Sequence, residues 1–321
     1  DFLRTNPIDS SNVPYWIVKN SFMKRRLFIN LTIIGFATLL LAQDSDRGGA
    51  GLSETNYKPT NFGIQDGDVP EDPRDFRGGN SYGFPTWKVN QEVPNDIFTF
   101  ARLRYNSGNF MGRRSKWLTD YPDADLNFSY RLQQLTSLET NPNGAIVDID
   151  SEQLRHYPFV YMIEPGDIWL TDEEAKVLRE YLLNGGFMMV DDFWGIGEWN
   201  GFNRALKQIF PNREPIELDL DHPIFHIVFD LPIKPQIPAV GMAQMGRERG
   251  ITYEWNKPGS ETPHYRAVYD DKGRMCMMIC WNTDLGDGWE EEGTDPWFFR
   301  EFSEKYAYPL GINIVFYALT H

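Results

Sequence analysis

From residue 96 onward, two kinds of hydrophobic pattern alternate along the chain. Short apolar runs without a polar face are typical of strands buried on both sides of a sheet, and they occur at 145-AIVDID-150, 158-PFVYMIE-164 and 187-FMMV-190. Apolar residues at helical spacing occur at about 124–139, 171–184, 198–209 and 295–320. Alternation of the two predicts an α/β domain with a mostly parallel sheet.

The clearest predicted helix begins after Thr171. The stretch 171-TDEE-174 has the pattern of a capping box, in which Thr171 and Glu174 satisfy free first-turn amides reciprocally. The glycines of 184-NGG-186 supply a stop, and the chain then enters the strand 187–190. A strand, a capped helix and a second strand predict a right-handed crossover between parallel neighbours.

A hairpin is predicted at 264-HYRAVYDDKGRMCMMICW-281, with its turn at Asp271-Lys272-Gly273. Its second strand carries both cysteines of the chain, Cys276 and Cys280. A spacing of four residues predicts that both lie on one face, about 13 Å apart, which is too far for a disulfide. We therefore expect two buried thiols.

Polar side chains follow several of the predicted strands. Ligands of open α/β sheets bind outside the carboxyl ends of the strands, so these side chains are candidates for ligand binding. The adjacent carboxylates of 187-FMMVDD-192 are the best placed. The predicted ligand-binding set is Asp191, Asp192, His222, Glu164, Asp167, Asn282, Asp284 and Arg104.

No serine or cysteine occupies the turn after 187–190, and no G-x-S-x-G motif occurs. Acyl-transfer chemistry at that turn is therefore disfavoured. A metal site is the alternative, with His226 joining Asp191, Asp192 and His222 as ligands. The competing structural interpretation is that Asp221 and His222 cap the turn set by Pro223 while Ile224 and Phe225 enter the core.

The charge balance is acidic, with 46 Asp and Glu against 31 Lys and Arg. Nucleic-acid binding needs a clustered basic face, so the sequence argues against that partner. No cofactor is predicted. A content of 41% hydrophobic residues is ample for a substantial core.

The first 95 residues do not show the strand and helix pattern. Residues 23–42 combine the basic start 23-MKRR-26 with a 16-residue apolar run, as in a secretory signal peptide or an uncleaved N-terminal anchor. We assign no function to residues 1–22, and residues 43–95 are interpreted as a Gly/Asp/Pro-rich linker or extension. The sequence thus predicts an exported, periplasmic or cell-envelope protein whose α/β domain spans 96–321, and which contacts membrane only if the N-terminal segment is uncleaved.

Several ordered motifs resemble a bacterial family, the domain of unknown function DUF4159. They are 98-FTFARLRYNSG-108, 158–195, 221-DHPIFHIVFDL-231, 277-MMICWNTDLGDGWE-290 and 309-PLGINIVFYALT-320. The family is similar in turn to the class I glutamine-amidotransferase-like superfamily. The resemblance implies a flavodoxin-like three-layer α/β/α sandwich, and it implies that relatives keep their cysteine at the turn after 187–190. It implies no activity, since this turn holds Asp192 and Phe193.

Taken together, these features favour a binding domain over an enzyme. The expected ligand is a small molecule or an envelope protein bound at the carboxyl edge of the sheet. The alternative is a metal-assisted hydrolase acting on a carbohydrate or cell-envelope substrate, since a metal ion would create the nucleophile that the side chains lack.

Overall fold

A computed structural model describes residues 69–76, 83–89, 97–107 and 115–321. The predicted export segment 23–42 and residues 1–22 lie outside the described residues, as does most of 43–95.

Strands and helices alternate along the described chain, as the hydrophobic pattern predicts. The strands are β1 (Ile97–Phe98), β2 (Ala101–Arg104), β3 (Asn106–Ser107), β4 (Glu139–Thr140), β5 (Ala145–Asp148), β6 (Phe159–Ile163), β7 (Ile168–Trp169), β8 (Phe187–Asp191), β9 (Ile216–Glu217), β10 (His264–Tyr269) and β11 (Met275–Trp281). The α-helices are α1 (Asp123–Leu135), α2 (Asp172–Leu183), α3 (Gly195–Ile209), α4 (Val240–Gly246), α5 (Leu285–Glu290), α6 (Pro296–Phe298) and α7 (Tyr308–Thr320).

Seven of these strands form one sheet in the order β5-β2-β6-β8-β11-β10-β9. The first five are parallel, and β10 joins β11 antiparallel through the predicted hairpin. The prediction of an α/β fold with a mostly parallel sheet is confirmed. The carboxyl ends of β6, β8 and β11, three neighbouring strands in the middle of the sheet, therefore lie side by side. We call this end of the sheet its carboxyl edge.

Helices cover the sheet on both faces because successive strand residues point to opposite sides. On β6, Phe159, Tyr161 and Ile163 enter one buried cluster together with residues of α1 and α7. Val160 and Met162 enter the other, together with residues of α2 and α3. Full burial of each such side chain stabilises the fold by about 1.5–3 kcal/mol.

The capping box of α2 is confirmed. Thr171 Oγ1 accepts a hydrogen bond from Glu174 N at 3.1 Å, and Glu174 Oε2 accepts one from Thr171 N at 2.7 Å. Gly185 has φ +114°, a backbone conformation that favours glycine, and it turns the chain into β8.

Two other helices differ from their predicted bounds. Helix α1 ends at Leu135, before the predicted 139, because Thr136 is extended and its hydroxyl donates to Leu132 O. The predicted final helix changes type along its length: a π-helix, Phe299–Ala307, separates α6 from α7.

The two cysteines are buried and free, as expected, but the prediction that they share one face is wrong. The pairing of β10 with β11 shifts register between Val268 and Tyr269, which adds one residue to β11 at this point. Cys276 consequently joins one core cluster and Cys280 the other.

Two described segments of the N-terminal extension contact the α/β domain. The ring of Phe76 packs edge-on against Tyr121 with centroids 5.2 Å apart. Trp87 Nε1 donates to Thr140 O at 2.9 Å. Segments 69–76 and 83–89 therefore lie against the domain. Within the described residues, no helix has the length and apolar content that crossing a bilayer requires.

The carboxylate of Glu217 on β9 links this outermost strand to its neighbours, and its contribution to stability can be tested. Its carboxylate accepts from Lys234 Nζ at 2.8 Å and from His264 Nδ1 and Arg266 Nε at 3.0 Å. Burial disfavours the charged form, but these hydrogen bonds outweigh it and lower the pKa of Glu217 to about 2. The stabilisation is therefore present above the unfolded-state pKa of about 4.3 and is lost as pH falls towards 2.

We expect Glu217→Gln to reduce the free energy of unfolding by about 1 kcal/mol at pH 6, because a third of the side chain is exposed and solvent screens the charges. The difference from wild type should shrink below pH 4 in urea denaturation. Glu261→Gln, at an exposed position, is the control. A pH-independent difference at Glu217 would contradict the prediction.

Candidate functional site

The three central parallel strands end in the same unusual way. The first residue after β6, β8 and β11 is Glu164, Asp192 and Asn282, with φ of 46°, 52° and 61°. A fourth such residue, Asp120 with φ 60°, lies in the loop after β2. This left-handed conformation costs an ordinary residue about 1–2 kcal/mol, and asparagine and aspartate tolerate it best. Strain of this kind clusters at functional sites, so the carboxyl edge of the sheet is the candidate site.

Asp191, the last residue of β8, is fully buried. Its Oδ2 atom accepts hydrogen bonds from Tyr161 Oη at 3.1 Å, Leu285 N at 2.9 Å and Gly286 N at 3.1 Å. One carboxylate oxygen thus joins β6, β8 and the first turn of α5. This contact places α5 over the carboxyl ends of the strands.

Asn282 has a comparable role on the other side of the edge. Its Oδ1 atom accepts from Gly195 N at 2.8 Å, and its Nδ2 atom donates to Gly259 O and Thr262 O at 2.8 Å. These three hydrogen bonds all go to backbone atoms, so Asn282 holds the loop 259–262 against the start of α3. A ligand would have to break these contacts to reach its amide.

Helix α5 carries two of the carboxylates at this edge. Asp284 caps the helix, with Oδ1 accepting from Asp287 N at 2.8 Å. Asp287 Oδ2 accepts from Val240 N at 2.9 Å. The stretch 284-DLGD-287 therefore forms a helix start that presents carboxylates towards the ends of the strands.

Arg102 on β2 positions the loop that contains Asp120. Its guanidinium is fully buried, pairs with Asp125, and donates to Trp117 O at 2.9 Å and Thr119 O at 2.7 Å. Thr119 directly precedes Asp120, so this buried cation fixes the backbone that presents the Asp120 carboxylate.

The result is an acidic centre, which we define as Asp120, Asp192 and Asp284. One carboxylate oxygen from each of these residues lies within 4.8 Å of the others. A second set, Asp120, Asp287 and Glu290, satisfies the same criterion and shares Asp120. The side chains are well buried, with Asp120 9%, Asp192 7% and Asp284 3% exposed.

Two oxygen atoms at this edge are buried and accept no hydrogen bond from described residues: Asp120 Oδ2 and Asp191 Oδ1. The first lies beside Gly286. A Cβ atom on Gly286 would be 2.4 Å from Asp120 Oδ2, 2.8 Å from Tyr161 Oη and 3.3 Å from Asp284 Oδ1. Only glycine therefore leaves room for these oxygens to approach one another.

Burial and mutual repulsion raise the pKa values of the carboxyl groups at this edge. Burial raises the pKa of Asp191 to about 7, against the opposing effect of its hydrogen bonds. Burial, and then the charges of neighbouring carboxylates, raise the pKa values of Asp120, Asp192, Asp284 and Asp287 well above the ordinary range. The carboxylates oppose one another's ionisation.

The nearby lysines are engaged elsewhere. Lys116 Nζ lies 2.9 Å from Glu164 Oε2 and 3.4 Å from Asp167 Oδ2, and Lys257 Nζ pairs with Glu198 at 2.8 Å and with Glu254 at 3.2 Å. Among the described residues, no salt bridge reaches a carboxylate of the acidic centre. The predicted candidates Glu164 and Asp167 thus pair with Lys116 and not with the acidic centre. Arg104 pairs with Asp148 at the edge of the sheet.

The two predicted histidine ligands are not gathered with the carboxylates. His222 Nδ1 accepts from Ile224 N at 3.2 Å, and its ring lies 5.6 Å from that of Tyr317. His226 is held by Asp230 and by Leu220 O. In the described part of the chain, the sets that could reach one ion contain neither histidine. The capping interpretation of His222 is confirmed, with Ile224 fully buried behind it.

Sequence reasoning missed Asp120 and Glu290. Asp120 precedes α1 in 118-LTDYPDAD-125, a loop rich in turn-forming residues whose position depends on a distant buried arginine. Glu290 lies in the acidic run 290-EEE-292, where nothing local separates it from its neighbours. The usable signal was 284-DLGD-287 after a strand, which indicates a helix cap with inward carboxylates.

A cleft of about 610 Å³ lies elsewhere on the domain, at the amino ends of β6 and β8. Its lining includes Pro158 and Gly186, which directly precede those strands, and Arg155 and His156. None of the perturbed carboxylates lines it. It is therefore separate from the candidate site.

Comparison with known proteins identifies one family. The model of DUF4159, a domain of unknown function, matches residues 99–319 and so covers every element of the candidate site. No curated protein matches the chain.

The raised pKa of Asp191 predicts an unusual pH dependence in the presence of EDTA. A carboxyl group that titrates near 7 when folded and near 3.9 when unfolded binds more protons in the folded state, so its contribution to stability is lost as pH rises from about 4 to 7. The other raised carboxylates have the same sign. We expect the free energy of unfolding to fall between pH 5 and pH 8.

Asp191→Asn should reduce this slope, because the amide oxygen can still accept the three hydrogen bonds while the titrating group is removed. Asp150→Asn, at an exposed position, should keep the wild-type slope. Urea denaturation across this pH range measures both. A wild-type stability that rises between pH 5 and pH 8 would show that the cluster does not titrate as described.

Proposed function

The chain belongs to the DUF4159 family, and we propose that this member is a binding domain for a cationic ligand, held at the carboxyl edge of its sheet by the acidic centre. The observation that carries the proposal is a group of buried carboxylates that lacks a salt bridge. Oxygens of three carboxylates lie within 4.8 Å of one another, and among the described residues Lys257 and Arg102 act on Asp192 and Asp120 without forming a salt bridge to them. Buried charge is costly unless it is paired, so a positive ligand would relieve a penalty already present in the fold.

Binding a cation would also change the ionisation of the centre. Without it, burial and repulsion oppose ionisation of these carboxyl groups and raise their pKa values. An opposite charge among them would stabilise the ionised form, so cation binding would release protons and strengthen as pH rises.

We propose that the domain lacks amidotransferase chemistry, although its fold is of the flavodoxin-like, class I glutamine-amidotransferase-like type. The turn after β8, where that superfamily is expected to keep its cysteine, holds Asp192 and Phe193. The two cysteines of the chain are buried in β11, and burial raises both thiol pKa values, which disfavours the reactive thiolate.

The predicted export and envelope location remain proposals. Their support is the basic start and apolar run of residues 23–42 and the acidic balance of the chain. The ligand would then be a cationic small molecule or a basic group of an envelope protein. The predicted alternative, a metal-assisted hydrolase of carbohydrate or envelope substrates, needs a bound metal ion to activate water, and its ligands would have to be carboxylates rather than His222 and His226.

A thermal-shift panel tests the proposal. Mg²⁺, Mn²⁺, Ca²⁺, spermidine, choline and glucosamine are added separately to the protein at pH 8, and at least one should raise Tm. Asp192→Asn should remove that increase. The same substitution should raise Tm without ligand by about 2–4 °C, the shift that about 1 kcal/mol produces in a domain of this size, because it removes one buried negative charge.

The amide of Asp192→Asn can still accept from Trp194 Nε1, and asparagine tolerates φ 52°, so a folding defect is not expected. Asp150→Asn is the matched surface control. If no cation raises Tm, or if Asp192→Asn lowers the Tm of the ligand-free protein, the proposal is wrong.

A further inference from the structure

We infer that the cation is a hard divalent metal ion, Mg²⁺, Mn²⁺ or Ca²⁺, coordinated by one oxygen each of Asp120, Asp192 and Asp284. The inference rests on the proposed function and specifies its ligand. Its basis is the buried Asp120 Oδ2 atom, which accepts no hydrogen bond from described residues and lies, like Asp284 Oδ1, beside Gly286.

The ligand set is made only of carboxylates. Hard cations take oxygen ligands at about 2.0–2.6 Å, so three oxygens around one ion are separated by no more than about twice that distance. Twice that distance is about 4.0–5.2 Å, and oxygens that lie within 4.8 Å of one another fall inside this range. Zinc and copper sites normally include imidazole or thiolate, and the described sets contain neither.

The Asp120 carboxylate indicates where the ion would lie. Its Oδ2 atom is buried and accepts no hydrogen bond from described residues, although buried carboxylate oxygens are normally satisfied. This atom and Asp284 Oδ1 both lie beside Gly286, at 2.4 Å and 3.3 Å from the position that a Cβ of this glycine would take. Two like-charged oxygens sharing a small buried space need a positive charge between them or a proton.

Burial selects between the two carboxylate sets. Asp192 and Asp284 are 7% and 3% exposed, whereas Asp287 and Glu290 of the second set are partly exposed. Asp287 Oδ2 also accepts a hydrogen bond from Val240 N. Buried charge costs more where water is excluded, so a cation is favoured most beside Asp192 and Asp284.

A metal ion fits better than an organic ammonium group. Three ionised carboxylates carry three negative charges, of which a divalent ion offsets two and an ammonium only one. The centre is also enclosed, with Asp192 and Asp284 each less than a tenth exposed, so little room remains for a carbon stem. Water molecules would complete the coordination, as is usual for Mg²⁺.

Calorimetric titration of the EDTA-treated, desalted protein with Mn²⁺ at pH 8 tests the inference. We expect one Mn²⁺ per chain. Asp120→Asn, Asp192→Asn and Asp284→Asn should each weaken binding by at least about tenfold, the scale on which even supporting contacts affect metal affinity. Mg²⁺ or Ca²⁺ should compete for the same site.

Gly286→Ala provides a variant that keeps every carboxylate. Its methyl group would lie 2.4 Å from Asp120 Oδ2 and displace this ligand, so binding should weaken although the charge of the centre is unchanged. Gly241→Ala in α4, where a Cβ meets no atom within 4 Å, is the matched control and should bind Mn²⁺ as wild type does. Circular dichroism checks folding, and the three asparagine variants keep the test decisive if Gly286→Ala does not fold.

The outcomes separate this inference from the proposed function. If spermidine or another organic cation raises Tm through Asp192 while Mn²⁺, Mg²⁺ and Ca²⁺ do not bind, the metal inference fails and the cationic-ligand proposal stands. If Asp287→Asn weakens Mn²⁺ binding more than Asp192→Asn does, the ion occupies the second set and the assignment is wrong. If no cation binds, both fail.

Discussion

The Asp191 carboxylate is the contact on which the arrangement of this edge depends. A single buried oxygen accepts one hydroxyl and two backbone N–H groups, and so ties β8 to β6 and to the first turn of α5. Asp287 lies in helix α5, and Asp284 is its N-cap. This tie, together with the hydrogen bond from Val240 N to Asp287 Oδ2, holds both carboxylates over the ends of the strands, close to the left-handed residue Asp192.

The edge departs from what stability alone would favour. It combines buried like charges, two unpartnered carboxylate oxygens and left-handed non-glycine residues, each of which is unfavourable. The remainder of the domain is regular, with alternate strand residues feeding two apolar clusters. These costs are concentrated at the end of the sheet where ligands of open α/β folds bind, which supports the proposal of a binding site there.

Local patterns were sufficient for the architecture. The apolar runs of β6 and β8 and the capping box at Thr171 predicted the parallel crossover, and the position of Asp191 and Asp192 followed from it. The β-bulge that places Cys276 and Cys280 on opposite faces has no comparable pattern in the sequence, because a bulge is defined by pairing with another strand. Asp120 was missed for the same reason: a buried arginine on β2 places it by long-range contacts.

The histidines were mispredicted in the opposite sense, because the sequence suggested ligands that the structure does not bring to the site. His222 and His226 have ligand chemistry, and only the fold reveals that both are occupied by local contacts. We propose that a hard divalent ion is bound by Asp120, Asp192 and Asp284. The anomalous difference map of a crystal grown with Mn²⁺ tests it most directly: we predict one peak within about 2.0–2.6 Å of an oxygen of each residue. A map without a peak there, or with its peak between Asp287 and Glu290, would contradict the account.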